Sequence, residues 1–235
     1  MGEFHEYKPL HTLSMITIGC LAAQGLLDVA AIILAIAQIV APGVPVEDIG
    51  VSMWMMAQGI VAMLGVLVYL ITVVLFLVWL HRAHKNLPAL RAEYLQYSPG
   101  WAVGWWFIPF ANLVMPFKVV REVWAESSPD ISEEPSFLSE SLHRAPVYVG
   151  FWWGLWLAMN FVANITSRLF DSTEPDNVIG YFFIAESTVS IAAVGLAIYL
   201  VRDITQRQEK RHAVVGSQPL PEPPPPPTFH PTEQP

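Results

Sequence analysis

The chain has 235 residues, of which 54% are hydrophobic and 14% are charged, and its formal net charge is −8. A soluble globular domain carries about 25% charged and about 45–50% apolar residues, so this composition excludes an ordinary water-soluble fold. The acidic balance argues against nucleic acid as a partner, and the single cysteine, Cys20, excludes an intrachain disulfide. The composition therefore predicts a polytopic membrane protein.

Four apolar runs are each long enough to cross a bilayer, whose hydrocarbon core of about 30 Å requires about 20 residues of helix. The predicted spans are residues 13–41, 54–80, 147–167 and 179–201. We therefore predict an all-α membrane protein with four transmembrane helices. Its domains are a cytoplasmic N-terminal segment at 1–11, a membrane domain at 12–206 and a disordered Pro-rich cytoplasmic tail at 207–235.

A fifth apolar run, residues 100–117, contains Pro109 and Pro116, which interrupt a helix. With four spans, eleven of the twelve Lys and Arg residues lie on the side of the termini, and only Arg168 lies near the other side. This distribution follows the positive-inside rule, whereas a fifth span would place the basic C-terminal segment outside. We therefore predict a multi-pass membrane protein with both termini cytoplasmic. Residues 100–117 then form an interfacial or re-entrant segment on the cytoplasmic side, followed by an acidic cytoplasmic loop at 125–141.

Two aromatic-rich segments give the sequence its most specific pattern. Residues 79–87 are Trp-Leu-His-Arg-Ala-His-Lys-Asn-Leu, and residues 98–113 are Ser-Pro-Gly-Trp-Ala-Val-Gly-Trp-Trp-Phe-Ile-Pro-Phe-Ala-Asn-Leu. This pattern resembles a bacterial integral-membrane family catalogued only as a domain of unknown function, over about residues 51–207. The resemblance implies a multi-helix fold in the inner membrane of a bacterial cell. It implies no established activity, cofactor or catalytic residue.

The same pattern gives a candidate interfacial motif, because Trp favours the headgroup level and can meet lipids or a partner there. Its members are Arg82, Asn86, Trp101, Trp105, Trp106, Pro109, Asn112, Pro116 and Trp124. Each proline removes a backbone donor, so some carbonyl groups need another partner. We expect the side chains of Asn86 and Asn112 to bond backbone groups at two helix ends.

Polar side chains at bilayer depth are the other functional candidates, because an unpaired charge there costs at least about 2.5–3.5 kcal/mol. The candidate intramembrane cluster consists of Asp28, Asn160, Asn164, Arg168 and Glu186. One interpretation is structural, with Arg168 pairing with Glu186 or Asp28 and the asparagines bridging helices. The other gives the acids a hydrated cavity in which they bind a cation or relay protons.

The sequence indicates no catalytic or metal centre. His81 and His84 share a helix end, but a metal would need a fuller ligand set, so we predict no metal and no cofactor. The favoured function is a noncatalytic scaffold or regulatory subunit that meets lipids or protein partners at the cytoplasmic face. A small proton- or cation-coupled transport component using Glu186 and Asp28 is the alternative, and an interfacial lipid-modifying enzyme comes third. Expected partners are the lipid bilayer and a membrane protein, either a different protein or a second copy of the chain.

Overall fold

The computed structural model describes residues 6–40, 49–92, 95–130, 146–170 and 176–217. These residues form helices and connecting segments, with no strand among them. The six α-helices are α1 (His11–Val40), α2 (Ile49–Asn86), α3 (Pro99–Gly104), α4 (Met115–Glu126), α5 (Val147–Phe170) and α6 (Asp176–Ser217). Most of the loop predicted at 125–141 lies outside the described residues.

Three helical segments are long and apolar enough to cross a membrane by length and composition. They are His11–Val40, Met56–Asn86 and Gly180–Ser217. Large apolar side chains on them are exposed, including Leu26 at 72% and Met63 at 67%, which suits contact with lipid. Helix α5 has 24 residues, including three Trp and two Asn, and is not among these three segments.

The helices pack in the spatial order α2, α1, α6, α5, because α1 contacts both α2 and α6, and α5 contacts α6. The buried apolar core is concentrated at one end of this bundle and includes Leu10, Trp79, Val120 and Leu200. We call this end the head, and define it as residues 6–14, 79–92, 115–130 and 200–217. Among the side chains that the structure describes, those at the opposite ends of the long helices are less buried.

Helix α2 ends inside the head. Pro88 follows Asn86 closely and begins a short 3₁₀ turn, Pro88–Leu90, because proline cannot continue the helical hydrogen bonding. The turn closes on Arg91, which adopts left-handed backbone angles (φ 57°, ψ 36°). Pro99 begins α3, with Ser98 as its capping residue.

Residues 99–114, which we call the aromatic segment, connect α3 to α4 through two further 3₁₀ turns, Trp105–Phe107 and Ala111–Leu113. Between them Phe110 has φ 64° and ψ −44°, and the Ala111 amide donates to the Pro109 carbonyl at 2.8 Å. This is a γ-turn with positive φ at its central residue, a strained conformation for a bulky side chain. Phe107 and Phe110 are 70% and 86% exposed.

The last helix is longer than the sequence predicts. The tail expected from residue 207 begins as helix instead, since α6 continues to Ser217. The physical reason is burial, because Gln208 and Arg211 are 0% and 6% exposed within the head. Residues 218–235 of the predicted tail lie outside the described residues.

Candidate functional site

A buried glutamine joins four parts of the chain in the head. Gln208 donates from Nε2 to the Ala83 carbonyl at 2.8 Å and to Ser127 Oγ at 3.0 Å, and its Oε1 accepts from Asn86 Nδ2 at 3.2 Å. The side chain of Asn86 in turn exchanges two hydrogen bonds with the backbone of Lys8, at 3.0 and 2.9 Å. The N-terminal segment, α2, α4 and α6 are thereby held in one arrangement.

Arg211 makes a second link, from α6 to the turns that follow α2 and α4. Its guanidinium donates to the carbonyl oxygens of Leu90 at 2.7 Å, Ser128 at 2.9 Å and Arg91 at 3.2 Å. Burial lowers the pKa of Arg211 below its usual value, and the negative charge of Glu126 opposes that shift. The three carbonyl groups lie at turns that have no continuing helix to supply donors, so the cation serves them as a cap.

A buried histidine fixes the loop before α3. His84 is fully buried, and its Nε2 lies 3.1 Å from Glu122 Oε1. The carboxylate of Glu122 also accepts from the backbone amides of Gln96 at 2.7 Å and Tyr97 at 3.4 Å. Because a carboxylate only accepts, Nε2 of His84 is the donor. The pair of His84 and Glu122 therefore fixes the position of the loop before α3.

A carboxylate in the head accepts hydrogen bonds from two aromatic side chains. Asp203 Oδ2 accepts from Trp124 Nε1 and from the Tyr148 hydroxyl, both at 2.7 Å. The guanidinium of Arg207 lies 3.8 Å from the centre of the Trp124 ring, in a cation–π contact. Burial lowers the pKa of Arg207, and the charge of Asp203 opposes this. The contacts attach α4 and α5 to the last helix.

A cavity of about 330 Å³ lies between the long helices, next to the aromatic segment. All four long helices contribute to its walls, and Trp106, Phe107 and Asn112 of the aromatic segment complete it. The aromatic lining consists of Tyr69, Phe76, Trp106, Phe107, Trp152 and Trp156. Trp106 packs edge-on against Phe76, Trp153 and Trp156, with ring centres 5.6–5.8 Å apart. The cavity volume is in the range of small-molecule sites.

One predicted intramembrane acid lies beside this cavity. Asp28 accepts from Ser190 Oγ at 2.6 Å and from Gln24 Nε2 at 3.2 Å, and both of these partners line the cavity. Asn160 also lines it and donates to the Trp156 carbonyl of its own helix at 2.7 Å. The hydrogen bonds of Asp28 therefore go to residues outside the predicted cluster.

The remaining members of that cluster are spread along two helices. Asn164 and Arg168 have exposed side chains on α5, and Glu186 is half-buried on α6. The every-fourth-residue spacing of Asn160, Asn164 and Arg168 is present in a continuous helix, but this side of α5 is largely exposed.

The predicted interfacial motif is divided between the head and the aromatic segment. Asn86 bonds backbone groups as expected, although they belong to Lys8 in the N-terminal segment. Asn112 lines the cavity, and its Oδ1 is buried without a hydrogen-bond partner in the described structure. Of the others, Pro116 and Trp124 are buried, Arg82, Trp105 and Trp106 are half-buried, and Trp101 and Pro109 are exposed.

A comparison with known proteins places this sequence in a family. Residues 46–206 match the family described as Domain of unknown function (DUF4328). The chain belongs to this family. No curated protein and no solved structure matches the chain. The DUF4328 match includes α2 to α5 and most of α6, whereas α1, Gln208 and Arg211 lie outside the matched residues although they complete the bundle and the head.

The polar residues that hold the head together were not among the predicted sites. Gln208, Arg211, Glu122 and Asp203 all lie in segments whose charged composition is typical of solvated helix. A signal was nevertheless present on α6, where residues 200, 204, 208 and 211 share one helical face. In the part of the chain that the structure describes, no group of three or more His, Cys, Asp or Glu side chains is placed to hold a metal ion.

Proposed function

We propose that this protein is a noncatalytic scaffold or regulatory subunit of a bacterial inner membrane, whose head meets lipids or a protein partner at the cytoplasmic face. In this proposal the chain crosses the bilayer four times, with α5 as the third crossing. The aromatic segment re-enters the membrane from the cytoplasmic side. The basic residues of the head and the exposed phenylalanines of the aromatic segment support this orientation.

The observation that carries the proposal is the continuity of the last helix. Helix α6 has 42 residues, about 63 Å at 1.5 Å per residue, which is twice the thickness of the hydrocarbon core. Its second half is bonded by Gln208 and Arg211 to α2 and to the turns of the head, and Asn86 of α2 in turn bonds the N-terminal segment. A head that is fixed rigidly to a membrane bundle suits a docking role. The side chains of Asn86, Gln208 and Arg211 form hydrogen bonds within the head, so they serve to fix it.

Orientation is tested by labelling in intact cells. In a Cys20→Ala background, single cysteines replace Gln206, which is exposed on α6, or Ser172 in the connection between α5 and α6. A maleimide that cannot cross membranes is expected to label residue 172 and to leave residue 206 unlabelled until the cells are opened. Labelling of residue 206 in intact cells would contradict four crossings with cytoplasmic termini.

The docking role is tested by photo-crosslinking in the native host. A photoreactive residue is placed at Arg121 or Lys210, which are exposed in the head, and as a control at Leu26, which is exposed on α1. We expect a discrete protein adduct from the head positions and only lipid adducts from Leu26. Absence of a protein adduct from every exposed head position would count against a scaffold for proteins.

A transport component is the second candidate, and the hydrogen bonds of Asp28 favour it. The two partners of Asp28, Gln24 and Ser190, line the 330 Å³ cavity, so an acid lies beside a partly open cavity within the bundle. Proton and cation flux into vesicles is measured for the wild type, for Asp28→Asn and for Glu186→Gln, with Glu6→Gln as an exposed control. If the wild type and Glu6→Gln show flux while Asp28→Asn and Glu186→Gln assemble normally but show none, the transport function would replace the proposed scaffold function.

A further inference from the structure

A second cavity, of about 220 Å³, lies at the end of α2 and is predominantly cationic. Its lining consists of Glu6, Lys8, Val78, His81, Arg82, Lys85 and Asn86. The side chains of Lys8, Arg82 and Lys85 form no ion pair within the described residues. Three cations therefore surround the cavity against the single carboxylate of Glu6, and this excess of positive charge suits an anionic ligand.

The walls of this cavity are held in place by buried contacts. The backbone of Lys8 exchanges two hydrogen bonds with the side chain of Asn86, which is 1% exposed. His81 Nδ1 lies 2.9 Å from the Pro99 carbonyl and donates to it, because a carbonyl oxygen only accepts. The ring is thereby oriented with Nε2 as its remaining polar atom. The cationic side chains thus extend from a fixed frame.

An exposed apolar stripe on α2 leads directly to the cationic cavity. It consists of Leu67, Ile71, Val74 and Val78, with exposed fractions of 54%, 44%, 60% and 47%. The spacing of four, three and four residues keeps these side chains on one helix face, and Arg82 and Lys85 continue the same face. From Leu67 to Val78 the helix rises about 16 Å, which matches the roughly 15 Å of hydrocarbon in one leaflet.

We infer that this face of α2 binds one anionic phospholipid. The headgroup phosphate lies in the cavity against Lys8, Arg82 and Lys85, and the acyl chains run along the apolar stripe. The inference rests on the proposed placement of the head at the membrane surface, and it names the lipid that the head meets there. A phosphate group free in solution would satisfy the cations alone, whereas a phospholipid also covers the exposed stripe with its acyl chains.

Lipid retention by the full-length protein provides the test. The purified protein is reconstituted with equal amounts of phosphatidylglycerol and phosphatidylcholine, extracted in mild detergent, and its retained lipids are quantified by mass spectrometry. We expect the wild type to retain phosphatidylglycerol preferentially. Each basic side chain near an anionic surface contributes about fivefold in affinity, so Arg82→Gln with Lys85→Gln is expected to reduce the preference about thirtyfold.

Lys118→Gln with Arg121→Gln is the matched control, because it removes the same charge from exposed positions on α4. This control should keep the preference, and millimolar inorganic phosphate should not displace the lipid. The single change Lys85→Gln, at an exposed position, is expected to lose about fivefold even where the double variant folds poorly. Equal retention of both lipids by the wild type would overturn the inference. It would also be overturned by an unchanged preference in Lys85→Gln, an equal loss in the α4 control or displacement by phosphate.

This measurement uses purified protein and a symmetric bilayer, so its outcome is independent of the cellular tests. If the wild type retains both lipids equally but shows the expected labelling and head crosslinks, the lipid site is refuted and the proposed scaffold is not. A preserved preference with residue 206 labelled from outside would refute the proposed orientation alone.

Discussion

Replacement of Gln208 by Leu is expected to lower the free energy of unfolding by about 3 kcal/mol. The substitution removes three buried hydrogen bonds, each contributing about 0.5–1.5 kcal/mol net. It also leaves the Ala83 carbonyl without a donor, because the amide of Leu87, which would bond it in a continuing helix, donates to His84 instead. An unsatisfied buried carbonyl costs about 1–3 kcal/mol, and the added burial of Leu offsets part of the total.

Reversible unfolding by SDS in mixed micelles, followed by tryptophan fluorescence, measures this difference from the shift of the transition midpoint at unchanged slope. The matched control is Gln206→Leu, two residues earlier on the same helix, where the side chain is exposed. We expect the control to change stability by less than about 0.5 kcal/mol. Equal midpoints for Gln208→Leu and the wild type would refute the view that buried hydrogen bonds hold the head together.

Three further changes test other parts of the structure by the same titration. Asp203→Asn weakens two 2.7 Å hydrogen bonds to a charged acceptor, so we expect a loss of about 2 kcal/mol; no loss would show that these bonds contribute little. Phe110→Gly and Phe107→Gly each remove an exposed ring, but only the first relieves a positive φ, so we expect it to be the more stable variant by about 1–2 kcal/mol. Burial raises the pKa of Tyr7 from its ordinary value of 10 to about 12, so the stability it contributes below pH 10 is lost as the pH rises through 12. Tyr7→Phe should abolish that alkaline loss; an unchanged pH profile would contradict it.

Apolar length allowed the long helices to be predicted from the sequence. Each predicted span lies largely within one of α1, α2, α5 or α6, because a run of about 20 apolar residues in lipid must satisfy its backbone as a helix. The family assignment was also predicted, and the match over residues 46–206 confirms it. Charge distribution predicted the orientation, which remains a prediction until labelling tests it.

Tertiary burial could not be predicted from local composition. The segment after Val201 contains alternating charged and polar residues, a pattern that ordinarily indicates a solvated helix. The buried face of α6 that includes Leu200 and Ile204 continues through Gln208 and Arg211. Polar residues therefore occupy buried positions at which an apolar residue would have indicated burial. Likewise, the helical spacing from Asn160 to Arg168 predicts a shared face but gives no information on whether that face is covered.

The broken end of α2 explains why the last helix extends so far beyond the apolar region. Where α2 stops before Pro88, the carbonyl groups of Ala83, Leu90 and Arg91 lie inside the head and have no continuing helix to donate to them. Water cannot serve them without opening the apolar core, so donors must come from another element. Gln208 and Arg211 supply those donors, and they can reach these carbonyls only if α6 remains helical to that depth. The proline after Asn86 and the long polar extension of α6 are therefore two parts of one structural requirement, although more than 100 residues separate them.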